Sequence, residues 1–129
     1  MTFAEVAGVS VDTRHWIGGR RVESADTFED VSPLDGQVIA HVSRGGQAEV
    51  DAAVAAAKEA FVGWSRTSPA ERSAILNRVA DLVEERVEDL AQVETRDNGS
   101  LLRSHRRGVM PRVAMNFRHF ANYLLELGH

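Results

Sequence analysis

The 129-residue sequence is 43% apolar and 26% charged, carries a net charge of −4 and contains no cysteine. A chain of this length can bury roughly 65–70% of the surface of its unfolded form, which suits one globular domain. Zero cysteine excludes disulfides, thiolate-held metals, iron–sulfur clusters and a cysteine nucleophile within these residues.

No run approaches the roughly 18 apolar residues that span a bilayer. The first ten residues lack both a basic and an apolar signal region, so a cytoplasmic location without a membrane partner is expected. Charge is uneven: residues 1–64 hold five basic and ten acidic side chains, and residues 100–129 hold five and one. A basic C-terminal segment can attract an anion, a phosphate backbone or an acidic neighbour in an assembly.

Residues 1–14 show no periodicity and are expected to form a loose, flexible N-terminal arm, with Val9 and Val11 able to pair at a sheet edge. His15-Trp16-Ile17 and Arg20-Arg21-Val22 flank Gly18-Gly19, which predicts a tight β-hairpin. A second hairpin pairs 27–32 with 37–42 through Pro33-Leu34-Asp35-Gly36, where proline presets φ and Asp-Gly closes the turn. The strands are therefore confined to 15–42. From Gln47 the period becomes helical: Val50, Ala53, Val54, Ala57, Phe61 and Trp64 form one stripe over 47–65.

Ser68-Pro69-Ala70-Glu71 is a capping box with proline at the first helical position. It opens a helix over 69–97, with a break expected near Arg86 and a left-handed stop at Asn98-Gly99. A third helix is expected over 104–127. Pro111 requires either a kink there or a helix start near Met110, because proline lacks the N–H that a helix interior needs. Its apolar face is Met110, Val113, Phe117, Phe120, Ala121 and Leu124, and beside it runs a stripe of Arg112, Asn116, His119 and Tyr123. The order is hairpins, then three helices with no strand among or after them. Short hairpins are marginal alone, and amphipathic helices need a surface to cover, so a piece of a larger α+β fold explains this order better than a complete small domain.

Few residues carry legible chemistry. The glycine pairs belong to no phosphate-binding motif. The histidines, at positions 15, 41, 105, 119 and 129, lack the spacing of a helical metal pair. Glu84, Glu85, Glu88 and Asp89 read as the solvated face of the second helix. Asp97 is less comfortable, because a carboxylate at a helix C-terminus faces the negative end of the dipole; Arg96, Arg103 or a bound cation could compensate it. Arg112 stands in a polar stripe and could grip a carboxylate through two parallel hydrogen bonds, or simply be a solvated surface side chain. Arg103, His105, Arg106, Arg107, Arg112 and Arg118 also admit a nucleic-acid reading. The acidic chain, and the better fit of Phe117 and Phe120 to the core stripe, weigh against it, and no nucleic-acid partner is expected.

Several linked strings resemble the aldehyde dehydrogenase superfamily: His15-Trp16-Ile17-Gly18-Gly19, then Phe28-Glu29-Asp30-Val31-Ser32-Pro33 with Asp35-Gly36. Ala52-Ala53-Val54 through Ala60-Phe61 with Trp64, the Glu71-Arg72 helix start, and Glu94-Thr95-Arg96-Asp97-Asn98-Gly99 continue it in order. Pro111-Arg112 with Asn116-Phe117 and Phe120-Ala121 looks most like the 5-carboxymethyl-2-hydroxymuconate semialdehyde dehydrogenase branch, which oxidises a ring-cleavage semialdehyde of aromatic catabolism. The sequence departs from the pattern at Ser100-Leu101, where the family usually has Lys-Pro.

The resemblance implies that residues 15–129 are the N-terminal portion of a cofactor-binding domain, an incomplete α+β fragment from a truncated reading frame or a split enzyme. It implies NAD or NADP in the complete enzyme but none on this chain alone, and an aldehyde substrate. It also implies, as partners, the remainder of the dehydrogenase and the other subunits of a homo-oligomer. The family's cysteine nucleophile, glutamate base, oxyanion asparagine and cofactor loop lie further along, so no catalytic residue transfers. A monovalent cation is implied at the Val31 carbonyl and Asp97. Arg112, with Asn116 one turn on, is implied to meet a substrate carboxylate. The competing expectation is a non-catalytic helical module whose exposed apolar face docks on a dehydrogenase subunit or on a second copy.

Overall fold

The structure, a computed structural model, describes residues 2–127. Gly128 and His129, the end of the expected 15–129 segment, lie outside the described residues, as does Met1. The described chain is an α+β arrangement in two compact units: residues 2–66 with 96–99, and residues 67–95 with 100–127.

The first unit holds three antiparallel pairs: β1 (Phe3–Val6) with β2 (Val9–Asp12), β3 (His15–Ile17) with β4 (Arg20–Val22), and β5 (Thr27–Val31) with β6 (Val38–Ser43). The last two pairs follow the expected hairpins closely. The first corrects an expectation, because residues 1–14 carry a hairpin instead of a loose arm. Ala7 and Gly8 turn the chain with φ of 51° and 82°, the double positive-φ geometry of a tight hairpin, without the Asn-Gly or Gly-Gly signature that would have revealed it. The hairpin is held by tertiary bonds: Thr13 N–H donates to the Thr2 carbonyl, and Ser43 N–H, at the end of β6, donates to the Thr13 carbonyl, both at 3.1 Å. Val6 is buried. Asp12 accepts from Arg14 at 2.7 Å and lies 3.3 Å from Arg21.

Helix α1 (Gln47–Trp64) follows. Its first turn is closed by Glu49, whose carboxylate accepts from Gly46 N–H at 2.7 Å. Seven alanines among its 18 residues make it helical on propensity alone. That is needed, since none of its residues is buried. The expected stripe is exposed: Val50, Val54, Phe61 and Trp64 all face solvent in this chain. The helix meets β3 along its small side, where the Ala56 Cβ lies 3.6 Å from the position a Cβ would take at Gly18.

In the second unit the capping box forms as expected. Ser68 Oγ accepts from Glu71 N–H at 3.2 Å, and Glu71 Oε2 accepts from Ser68 N–H at 2.8 Å. The helix expected over 69–97 breaks at Arg86, as expected, with φ of −118° and ψ of 21° there, into α2 (Pro69–Glu85) and α3 (Val87–Asn98). The third expected helix also divides. A short α4 (Leu102–Ser104) runs into a π-turn (His105–Val109) and then α5 (Met110–Leu127), which begins at Met110 as Pro111 allowed, so five α-helices and a π-turn stand among the described residues where three helices were expected. The π-turn accommodates Pro111: where proline cannot return an N–H, the helix widens one turn earlier, and Met110 N–H donates to the His105 carbonyl.

Helices α2 and α5 pack together through small residues, with Ser73 and Ala80 buried on one and Ala114 and Ala121 on the other. Ala114 was not in the expected apolar face, and Phe120, which was, is 60% exposed. Apart from Met110, every buried residue of these two helices is small. Arg118 ties the same pair, donating to Asp81 at 2.8 Å and Glu84 at 2.5 Å.

Candidate functional site

The residues expected to share a cation occupy one corner of the first unit. The β5–β6 ladder shifts register between Asp30 and Val31, a bulge of the kind that re-aims neighbouring side chains. The turn that follows is firmly bonded: Gly36 N–H donates to the Ser32 carbonyl and Ser32 N–H to the Gln37 carbonyl, each at 2.9 Å, and Ser32 is fully buried. The end of α3 packs on this turn. Gly99 has φ of 78°, and a Cβ there would stand 2.9 Å from Pro33 Cγ. Arg96 donates to Asp35 at 3.0 Å.

Asp97 therefore faces Asp30, the residue beside Val31. Burial raises the Asp30 carboxyl above its ordinary range, and the Asp97 charge and a hydrogen bond with Asp97 raise it further. Neither arginine suggested as compensation for Asp97 serves it: Arg96 turns to Asp35, and Arg103 makes no ion pair among the described residues. Two carboxylates beside a bulged strand offer only hard oxygen donors and carry like charge, which suits an alkali or alkaline-earth cation and not a soft metal. Asp30 was quoted in the family string but given no role, because its contact with Asp97 is tertiary.

Arg112 and Asn116 belong to the second unit. They sit four residues apart on α5 and are exposed. Arg112 lines an open groove with Ser104, Arg107, Gly108 and Val109. Neither the Arg112 nor the Asn116 side chain has a hydrogen bond or ion pair among the described residues. Three other arginines of the same unit are engaged: Arg118 as above, Arg106 with Glu88, and Arg78 with Glu85. The acidic face of α2 and α3 is thus an ion-pair surface and not only a solvated one. Engaging Arg106 and Arg118 also breaks up the basic cluster. Further along the stripe, His119 and Tyr123 stack with centroids 6.3 Å apart and planes 4° from parallel. Arg107 entered the sequence reading only as a member of the basic cluster; its place beside Arg112 on one groove was not foreseen.

The positive-φ glycines at 18, 19, 36 and 99 all serve turns, and the other glycine pair, Gly45-Gly46, leads into α1 in a cap closed by Glu49. No helix of the described residues is long and apolar enough to cross a membrane.

The family model of aldehyde dehydrogenases matches residues 20–129. The chain belongs to the aldehyde dehydrogenase family. This dehydrogenase segment is 42% identical over 112 residues to 2-aminomuconic semialdehyde dehydrogenase of Bos taurus, an alignment covering 87% of this chain and 23% of the relative. It is 39% identical over 113 residues to 5-carboxymethyl-2-hydroxymuconate semialdehyde dehydrogenase of Escherichia coli, covering 88% and 24%. Among solved structures it matches an indole-3-acetaldehyde dehydrogenase of P. syringae in complex with NAD+, with a TM-score of 0.87, 31% identity, and coverage of 92% of this chain and 25% of that one. The chain spans about a quarter of the length of the relatives it matches. The α+β segment seen here is therefore part of the aldehyde dehydrogenase fold.

Proposed function

We propose that this chain supplies the N-terminal portion of an NAD(P)-dependent aldehyde dehydrogenase that oxidises a carboxylate-bearing semialdehyde to the acid. The substrate class is that of 5-carboxymethyl-2-hydroxymuconate semialdehyde, a ring-cleavage product of aromatic catabolism. Arg112 is the substrate-anion anchor and Asn116 its neighbour one turn on. The observation that carries this reading is the unpaired Arg112 guanidinium on an open groove. It occurs in a chain whose relatives are named for muconic semialdehydes.

With no cysteine in the sequence, the family's thiolate comes from elsewhere in the complete, oligomeric enzyme, and NAD(P) is held outside these residues. The chain by itself does not catalyse. The Val31 carbonyl and Asp97, joined by Asp30, hold a monovalent cation that neutralises the carboxylate pair and ties the β5–β6 turn to the end of α3. The apolar stripe of α1, exposed in this chain, supports the partner assignment: it is a face for the remainder of the dehydrogenase. The same stripe is what favours the second reading, a non-catalytic module docking on a dehydrogenase subunit.

The test is kinetic. In the complete enzyme, Arg112→Ala raises KM for a dicarboxylic semialdehyde by about tenfold or more, the scale of one charge-assisted hydrogen bond, and leaves a neutral aldehyde unaffected. Equal effects on both substrates would sink the assignment. NAD(P)-linked turnover by the purified chain would overturn its proposed inactivity.

A further inference from the structure

We propose that Arg107 is a second anion anchor on the Arg112 groove, so that this groove selects a dicarboxylate over a monocarboxylate. The inference rests on the role given above to Arg112. In an uninterrupted α-helix, residues five apart point about 140° away from each other, and side chains at 107 and 112 would diverge. The π-turn removes that divergence. Its wider turn, closed by Met110 N–H on the His105 carbonyl, sets Arg107 and Arg112 along one groove. Such turns are rare and recur at functional sites.

Charge points the same way. No acidic side chain lines the groove, and neither guanidinium has a carboxylate partner among the described residues, while Arg78, Arg106 and Arg118 of the same unit each have one. Two uncompensated cations on one groove repel, and a ligand with two carboxylates relieves both at once. Gly108 on the same groove is uncrowded: apart from its chain neighbours and its own helix backbone, a Cβ added there would meet nothing within 4 Å.

The experiment titrates the isotope-labelled chain with trans,trans-muconate and with sorbate, the same conjugated carbon chain bearing two carboxylates or one, followed by the arginine side-chain NMR signals. Muconate is expected to bind about tenfold or more tightly than sorbate, the factor one charge-assisted hydrogen bond carries. Arg107→Gln brings muconate down to the sorbate level and leaves sorbate unchanged, whereas Arg112→Gln weakens both. Gly108→Leu, which fills open space and leaves the helix intact, blocks both ligands. If Arg107→Gln keeps the preference for muconate while Arg112→Gln weakens both ligands, Arg107 is not an anchor and the role of Arg112 stands. If Arg112→Gln changes neither ligand, the Arg112 reading itself fails. A wild-type chain that binds muconate no better than sorbate, or binds neither, overturns the second anchor; the kinetic test above then decides on Arg112 separately.

Discussion

The Arg96 guanidinium donates to Asp35 Oδ2 at 3.0 Å, joining residues 61 apart in sequence. It fastens the last turn of α3 to the β5–β6 turn. With Arg96 committed there, Asp97 is left against Asp30. The Asp35 carboxyl is held below its ordinary range, first by the Gln37 N–H and then by Arg96. Both partners of the ion pair are partly exposed and screened by solvent, so it sets geometry more than it adds stability.

Gly99 is the tighter element of the same corner. Gly99→Ala places an L side chain at φ of 78° with its Cβ 2.9 Å from Pro33 Cγ. The left-handed backbone alone costs about 1–2 kcal/mol, and the Pro33 contact adds to it. Urea unfolding of the variant is expected to show a midpoint lowered accordingly, with an unchanged slope.

The carboxylate pair predicts a cation response. A bound cation stabilises the folded state by mass action, and about 1 kcal/mol moves the Tm of a domain this size by about 3–6 °C. Thermal unfolding in sodium or potassium chloride is expected to lie above that in tetramethylammonium chloride at equal ionic strength. Asp97→Asn should remove the difference. The same Tm in all three salts would leave the pair without a cation.

Acid sensitivity follows from Asp12 and Glu88. Asp12 is lowered to about 2, chiefly by its hydrogen bond from Arg14, and Glu88 to about 2, chiefly by Arg106. Unfolded carboxylates titrate near about 4. A depressed folded value contributes stability that is present above the unfolded value and lost as pH falls through the folded one. Unfolding midpoints should therefore fall between about pH 4 and pH 2. Asp12→Asn should flatten part of that slope, and a pH series of denaturant midpoints checks it.

Local chemistry made several features legible in the sequence. The Gly18-Gly19 turn, the Ser68 and Glu71 capping box and the left-handed Gly99 each depend on φ preferences or on hydrogen bonds spanning three residues or fewer, which neighbouring residues specify by themselves. Val31, Asp97, Arg112 and Asn116 were reached by family resemblance, with the dipole argument for Asp97 beside it.

The Ala7-Gly8 hairpin was not legible, since its order comes from bonds to Thr2 and Ser43, beyond the turn itself. The apolar stripe of α1 was read correctly as a stripe, but periodicity cannot say what covers it. Periodicity placed Met110 and Ala121 on the apolar face of α5, where both are buried, but it also placed the exposed Phe120 there and passed over the buried Ala114. Sequence by itself determined the strand and helix vocabulary, the absence of a thiol and the family resemblance. Only tertiary structure decided that Asp30 meets Asp97, that Arg96 goes to Asp35, and that a π-turn puts Arg107 on the Arg112 groove. These relationships depend on which backbones are brought together and on where a helix changes its pitch, and neither is encoded in the spacing of residue types along the chain.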